Sequence, residues 1–357
     1  MARQAGFDLV GIASAGPTLE ALFYPEWLRR GHAGEMEYLK GRRGEMRQDP
    51  RSLLPDARSI ICVGLVYNTP DPHSTEVEAG AQGWISRYAW GKDYHTVLRE
   101  KLNRLARAIE AENGPFHYKL CVDTAPLLER AYARRAGLGW IAKNTCLINQ
   151  QLGSWIFLGE LITSLDIEPD GPAPSRCGTC TRCVDACPTA ALVPAGAPGG
   201  PEFALDSRRC ISYWTIELRG PLADEERAAV GQHVFGCDIC QDVCPWNRRA
   251  AVTAEREFQP QNRLPDLEEL AKLTPEQFNA RFGGTAVERS RYRGFLRNVA
   301  VAMGNSGNRK FLEPLRQLAR HEDEVVREHA HWAIRQIDQG LRQTSPFRPS
   351  GSANSGD

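Results

Sequence analysis

Eight cysteines in this 357-residue chain fall into a pattern suited to iron. The first block reads Cys177-Gly-Thr-Cys180-Thr-Arg-Cys183-Val-Asp-Ala-Cys187-Pro188. In such a run three thiolates bind one cubane and the fourth binds another. The second block, Cys237-Asp-Ile-Cys240-Gln-Asp-Val-Cys244-Pro245, supplies only three more. Two four-iron clusters need eight thiolates, and Cys210, between the blocks, is the natural eighth. The expected sets are Cys177, Cys180, Cys183 and Cys244 for one cluster, and Cys187, Cys210, Cys237 and Cys240 for the other. Paired CxxC spacings also serve zinc. Zinc sites seldom place three cysteines at this spacing ahead of a Cys-Pro. Disulfides fit poorly with 11 cysteines, an odd count, and no apolar leader opens the chain. A reducing cytoplasm suits thiolate ligands, so that location is expected. Cys62, Cys121 and Cys146 read as small hydrophobes.

The second chemical feature is charge. The 44 Lys and Arg balance 44 Asp and Glu, so no global field attracts nucleic acid. Locally the balance fails. Arg281 to Arg320 contains nine basic residues, opposed only by Glu288 and Glu313. Arginines on a helix face bind phosphates, although most charge runs are solvated faces. Arg289, Arg293 and Arg297 stand four apart and share a face if the helix begins that early.

These residues need elements to hold them. Ser59–Val66 (SIICVGLV) is an apolar, β-branched run, expected to be a buried strand. Thr96 to Glu112 carries apolar residues at helical spacing and stops at Asn113-Gly114. Phe116 to Val122 returns to strand character, as does Trp155 to Ile167. Between them Asp123-Thr-Ala-Pro126 is expected to open a helix running to Gly137. Asp123 then has two readings, a helix N-cap or a proton donor whose pKa burial raises. The turn-rich Glu168-Pro-Asp-Gly-Pro-Ala-Pro marks a domain boundary, and Pro194 to Pro201 is a Gly/Pro-rich spacer. From Leu267 the chain reads as helical. A HEAT-like repeat and an ordinary helical bundle both fit. No run of about 18 apolar residues appears, so no membrane span is expected.

Several stretches together resemble the epoxyqueuosine reductase family. They are Gly6-Phe-Asp-Leu-Val-Gly-Ile-Ala13, Arg87-Tyr-Ala-Trp-Gly-Lys-Asp-Tyr-His95, Val122-Asp-Thr-Ala-Pro-Leu-Leu-Glu-Arg130 and Gly137-Leu-Gly-Trp-Ile-Ala-Lys-Asn144, with both cysteine blocks and Cys210-Ile-Ser-Tyr-Trp214. The chain departs from the family in opening almost at the Gly-Phe-Asp segment, where members usually have a preceding helix, and in carrying Ala142 for a common Gly. The resemblance implies reduction of an epoxide to an alkene in the wobble base of tRNA, the last step of queuosine synthesis. It also implies cobalamin beside two [4Fe-4S] clusters, and an architecture related to reductive dehalogenases. The expected fold is α+β and multi-domain. An α/β cobalamin-binding catalytic domain spans 1–168 and a ferredoxin-like two-cluster module 169–250. A helical, HEAT-like tRNA-binding domain spans 251–341, and 342–357 is a disordered tail.

Within that frame Asp123 matches the family's catalytic aspartate and is also a candidate cobalamin contact. Lys143, Asn144 and Ser154 are candidates to hold the corrin's amide arms, against the plain reading of turn chemistry. Ser212, beside a cluster ligand, is a further corrin candidate. Tyr213, Trp214 and Arg219 are candidate tRNA contacts with Arg289, Arg293 and Arg297, although Trp214 equally suits a core. Asp93-Tyr-His95, followed by Thr-Val-Leu, does not complete the Asp-x-His-x-x-Gly signature of some corrinoid proteins. That absence fits a corrin with no histidine below cobalt. The expected partners are tRNA carrying epoxyqueuosine and an external one-electron donor, and the expected state is a monomer. Competing readings are a ferredoxin-type electron carrier, a corrinoid dehalogenase of small molecules and a HEAT-like RNA-binding protein with structural clusters.

Overall fold

The computed structural model describes residues 1–77, 80–196 and 199–344. Part of the Pro194–Pro201 spacer and residues 345–357 of the expected tail lie outside these.

Four strands form the central sheet: β1 (Leu9–Ser14), β2 (Ser59–Val66), β3 (Tyr118–Cys121) and β4 (Ile156–Thr163). Their order is β1-β2-β4-β3, and every pairing is antiparallel. All eight residues of β2 are buried, because a helix covers each face of the sheet. On one face Ile61, Val63 and Leu65 pack against Val97, Leu98, Leu102 and Leu105 of helix α1 (Tyr94–Asn113). On the other, Ile60, Cys62 and Ile162 pack against Tyr132 and Ala133 of helix α2 (Glu129–Arg135). Strand alternation makes this division, since successive side chains point to opposite faces. Asp93 caps α1 by accepting the His95 amide, and Gly114 ends it at φ 76°. A non-glycine residue would be strained there.

Helix α2 starts later than its sequence implies. Its N-cap is Leu128, with no side-chain capping bond. Asp123 therefore caps nothing, and the N-cap reading of that residue falls.

The cysteine blocks lie in short turns and one-turn helices, Arg182–Asp185 and Ile239–Asp242. The carboxylate of Asp238, between two cysteines, accepts hydrogen bonds from the Arg87 amide at 2.8 Å and from Trp84 Nε1 at 3.2 Å. It ties the Arg87-Tyr-Ala-Trp segment to the second block.

After Cys210 come helices α3 (Ile211–Ile216), α4 (Arg291–Asn305), α5 (Leu312–Leu318) and α6 (Glu324–Thr344), among others. Helix α6 continues to Thr344, so residues 342–344, expected in the tail, are helical. One hydrophobic core joins Trp84 and Trp90 to Ile211, Trp214 and Phe235, and onward to Phe295, Val299 and Trp332. The expected boundary at 250 therefore divides the sequence but not the core.

Candidate active site and cluster centre

The eight thiols form two spatial groups. Cys183 has Cys244, Cys177 and Cys180 as its neighbouring thiols. Cys237 has Cys210 and Cys187, and Cys240 has Cys237 and Cys210. Burial and thiolate repulsion push the Cys183 thiol up to about 11. Crowded sulfurs of this kind are stable as thiolates only around cationic metal, which fits the donor set of a cubane. N–H groups point at these sulfurs, among them Trp140 Nε1 to Cys177 Sγ at 3.4 Å and the Ala191 amide to Cys187 Sγ at 3.3 Å. Cys180 is exposed, so the first group reaches the surface. Cys146, read from sequence as filler, lies against Cys240.

Asp123 stands at the end of β3, where the chain leaves the sheet. Its φ of 50° is left-handed, as is that of Thr145 at 63°. Such strain in non-glycine residues concentrates at functional sites. The Asp123 side chain keeps 48% of its surface open. His95 Nε2 lies 3.2 Å from Asp123 Oδ2, and His95 Nδ1 lies 2.7 Å from Asp93 Oδ1. Tyr94 stacks on His95 at 4.1 Å and on Phe157 at 4.3 Å, fixing the pair on α1.

The electrostatics reverse one expectation. Burial raises the Asp123 pKa, but the hydrogen bond and charge of His95 outweigh it, with Arg289 assisting, and the net shift is downward. For His95, burial opposes the charge, yet bonds to Asp123 and Asp93 lift its pKa to about 9. At neutral pH the proton resides on the imidazole, and Asp123 is a carboxylate paired with it. The expectation of an Asp123 kept neutral by burial is corrected: one well-placed cation outweighs partial desolvation.

The proposed corrin contacts separate. Lys143, Asn144 and Ser154 are all buried and pack toward the second half of the cluster module. Lys143 Nζ pairs with Glu202 at 3.1 Å. Asn144 Nδ2 donates to the Cys240 carbonyl at 3.2 Å. Ser154 Oγ donates to Gln241 Oε1 and accepts from Asn247 Nδ2, both at 2.8 Å. Ser154 is thus a strut between the sheet and the cysteine segment, which corrects its reading as a cofactor contact. Ser212 adjoins Cys210 and supplies a hydrogen bond to it.

The RNA candidates also divide. Tyr213 Oη accepts the Glu35 amide at 2.8 Å, under a glycine whose added Cβ would meet that oxygen at 2.6 Å. Trp214 is buried and donates Nε1 to the Arg208 carbonyl at 2.7 Å. Neither ring has a free face for a base, so both are corrected to core residues. Arg297 is 1% exposed. It binds the carbonyls of Leu218 at 2.9 Å and Gly220 at 2.8 Å, and also those of Trp214 and the Asn298 side chain. Burial lowers its pKa to about 10. It cannot grip phosphate. The shared-face argument fails because Arg289 belongs to a separate 3-10 turn, Ala286–Ser290, and α4 begins only at Arg291.

Four other arginines do converge. Burial lowers the Arg219 pKa, and so do the charges of Arg291, Arg289 and Arg293 around it. Arg219 is held through the carbonyls of Ser290 and Arg289, both at 3.0 Å. Arg289 Nε pairs with Glu217 Oε1 at 2.5 Å, lies 5.0 Å from the centre of the Tyr38 ring and also feels the charge of Asp123. Arg291 is exposed, and no carboxylate among the described residues pairs with it. Through Arg289 the cluster approaches Asp123. Sequence reasoning did not assign Arg291, Tyr38, Tyr94 or His95 to the site. The only local sign was the Asp93-Tyr-His95 triplet, whose two ends become neighbours across the first turn of α1.

Comparison with known proteins identifies two matching family models. Residues 47–124 match one described as "Epoxyqueuosine reductase QueG, DUF1730", and residues 176–247 match a "4Fe-4S double cluster binding domain". An epoxyqueuosine reductase of Xanthomonas campestris pv. campestris is 41% identical over 341 residues, 94% of each chain. A crystal structure of epoxyqueuosine reductase with an epoxyqueuosine-modified tRNA-Tyr stem loop superposes with a TM-score of 0.83 at 32% identity, covering 96% of this chain and 92% of that one. The Bacillus subtilis epoxyqueuosine reductase, in a structure with its catalytic aspartate loop swung out of the active site, gives 0.82 at 31%, covering 97% and 93%.

Proposed function

The chain belongs to the epoxyqueuosine reductase family, and from that premise we propose that it reduces epoxyqueuosine in tRNA to queuosine. The observation that carries this reading is the Asp123–His95 pair, half exposed and approached by Arg289 from a cluster that includes Arg219, Arg291 and Arg293. Anionic backbone is drawn to such a cluster, and the base is presented to the proton-holding pair.

Converting the epoxide to an alkene breaks two C–O bonds and consumes two electrons and two protons, with water released. When bound, cobalamin and two [4Fe-4S] clusters supply the low-potential electrons. The eight cysteines would hold the clusters in the two groups described. Both ring nitrogens of His95 are engaged by carboxylates. Lys143, Asn144 and Ser212 are the residues that would hold the corrin's polar groups. The residues themselves do proton work. His95 holds a proton at neutral pH, and Asp123, 3.2 Å away, relays it to the departing oxygen and recovers it from the imidazolium. Tyr94 keeps the imidazole aligned. Asp93 stabilises its charge.

The exposed side of the Cys177–Cys183 group is where an external one-electron donor would deliver. No helix among the described residues is long and apolar enough to cross a membrane, and with tRNA as substrate the reaction belongs in the cytoplasm. The test is anaerobic reconstitution followed by mass analysis of nucleosides from treated tRNA. Loss of the epoxide nucleoside with gain of queuosine is the expected result. Full cluster and corrin content without conversion would overturn the reading.

A further inference from the structure

Beneath Asp123 lies a second carboxyl pair that the reaction above does not use. Glu160 sits in the middle of β4 and has no solvent exposure. Its cross-strand neighbour on β2 is Cys62 and on β3 is Cys121. All three side chains share the face covered by α2. Neither carboxyl oxygen of Glu160 has a hydrogen-bond partner among ordinary donors. A buried carboxylate without donors is strongly disfavoured. Among the described residues, the group that meets it is another acid, Glu129, the first residue of α2. Two carboxylates cannot bond to each other, but a carboxylic acid and a carboxylate can. The free oxygen of Glu129 accepts the backbone N–H of Asp123.

We infer that Glu160 keeps its proton and donates it as a hydrogen bond to Glu129, which in turn holds the Asp123 amide, so that the pair positions the reacting aspartate. The chain of bonds runs from Glu160 O–H to the Glu129 carboxyl, and from the Asp123 N–H to that same carboxyl. It fixes Asp123 in its left-handed conformation, which the backbone would not choose unaided. Both acids are therefore positioning residues, and the proton they share is not consumed.

The surroundings agree. Cys62 faces Glu160 from β2 and Cys121 from β3, while Glu129 approaches from α2 and Asp123 from the loop before it; the charge of Arg130 acts on Glu129. Burial, then the charge of Glu129, raises the Glu160 pKa well above its ordinary value. Burial, then the charge of Asp123, lifts Glu129 to about 8. Of the two acids Glu160 is the one that keeps its proton longer as pH rises. A relative's structure with its catalytic aspartate loop swung out shows that in that protein the equivalent kind of loop has two positions. A latch is useful in such a loop.

The inference rests on the proposed role of Asp123 only in its kinetic arm. In the first arm, infrared spectra of the cluster-loaded protein at pH 7 are compared between wild type, Glu160→Gln and Asp123→Asn. A protonated-carboxyl band is expected in wild type, with the Glu160 component lost in Glu160→Gln and retained in Asp123→Asn. A wild-type spectrum without that band overturns the inference, whatever the activity. In the second arm, single-turnover rates are measured at saturating tRNA with chemically pre-reduced enzyme. Glu160→Gln, whose amide can still donate to Glu129, keeps most of the rate. Glu160→Leu, which cannot, loses about 100-fold through misplacement of Asp123, with tRNA affinity unchanged. Equal rates for the two variants overturn the positioning role, since a merely structural acid would not distinguish donor from non-donor.

Discussion

His95 Nε2 lies 3.2 Å from Asp123 Oδ2, and this contact decides which of the two residues holds the proton. The imidazole, flanked by Asp93 as well, titrates near 9, and the aspartate is held below its ordinary range. The pair is therefore loaded with one proton across the neutral range. The single-turnover rate should stay level through neutrality and fall as pH rises through about 9, where His95 empties. His95→Gln should remove that alkaline limb and lower the rate by about 100-fold or more. An unchanged limb in this variant would assign the titration elsewhere.

Asp123→Asn should retain both clusters and tRNA binding yet lose most turnover, because an amide cannot relay the imidazolium proton. Iron analysis and tRNA titration alongside the rate separate this outcome from misfolding. A near wild-type rate would leave Asp123 no chemical part.

Cys210→Ala should remove one cluster selectively. Its thiol neighbours are Cys187 and Cys237, while Cys183 groups with Cys177, Cys180 and Cys244. Iron content should fall from about eight to about four per chain. Retention of both clusters would reassign the eighth ligand, with Cys146 the nearest alternative thiol to Cys240.

The buried and exposed arginines should behave oppositely. Arg297→Leu leaves the carbonyls of Leu218 and Gly220 without their donor. It should cost about 3 kcal/mol or more in stability, read by chemical denaturation. Arg291→Ala with Arg293→Ala should leave the fold intact and weaken tRNA binding. The salt slope of log affinity should fall by roughly one, or somewhat less, for each phosphate that is no longer neutralised. An unchanged slope would show that the cluster is simply solvated.

Stability should carry the signature of the buried acids. Glu160 and Glu129 have folded-state pKa values above the ordinary 4.5. The native state then binds their protons more tightly than the unfolded state does. Their contribution is full below pH 4.5 and is lost as pH rises through the folded values, about 8 for Glu129. Glu160→Gln removes the acid that must stay protonated. Its Tm relative to wild type should therefore rise steadily from pH 5.5 to pH 9. A difference independent of pH would mean that the two acids are not linked to folding.

The cluster chemistry was legible in the chain itself. Metal ligands are chosen by residue type and local spacing, and the Cys-x-x-Cys runs with their Cys-Pro ends carry both. Strand β2 and helix α1 were legible for a similar reason: a continuous apolar run and a 3.6-residue period are local patterns. Asp123 could be singled out through family motifs, but its charge state could not. That state depends on His95, 28 residues earlier, which the sheet and α1 bring to its side. The arginines make the same point more sharply. Arg289, Arg293 and Arg297 look equivalent in sequence, yet a 3-10 turn puts the first out of phase, and the second turn of α4 buries the third under three carbonyls. Glu160 is the extreme case. In Gly-Glu-Leu-Ile it reads as a polar residue interrupting a strand. Only cross-strand register and the cover of α2 place it unsolvated beneath Asp123, because burial and long-range neighbours are set by packing and not by spacing.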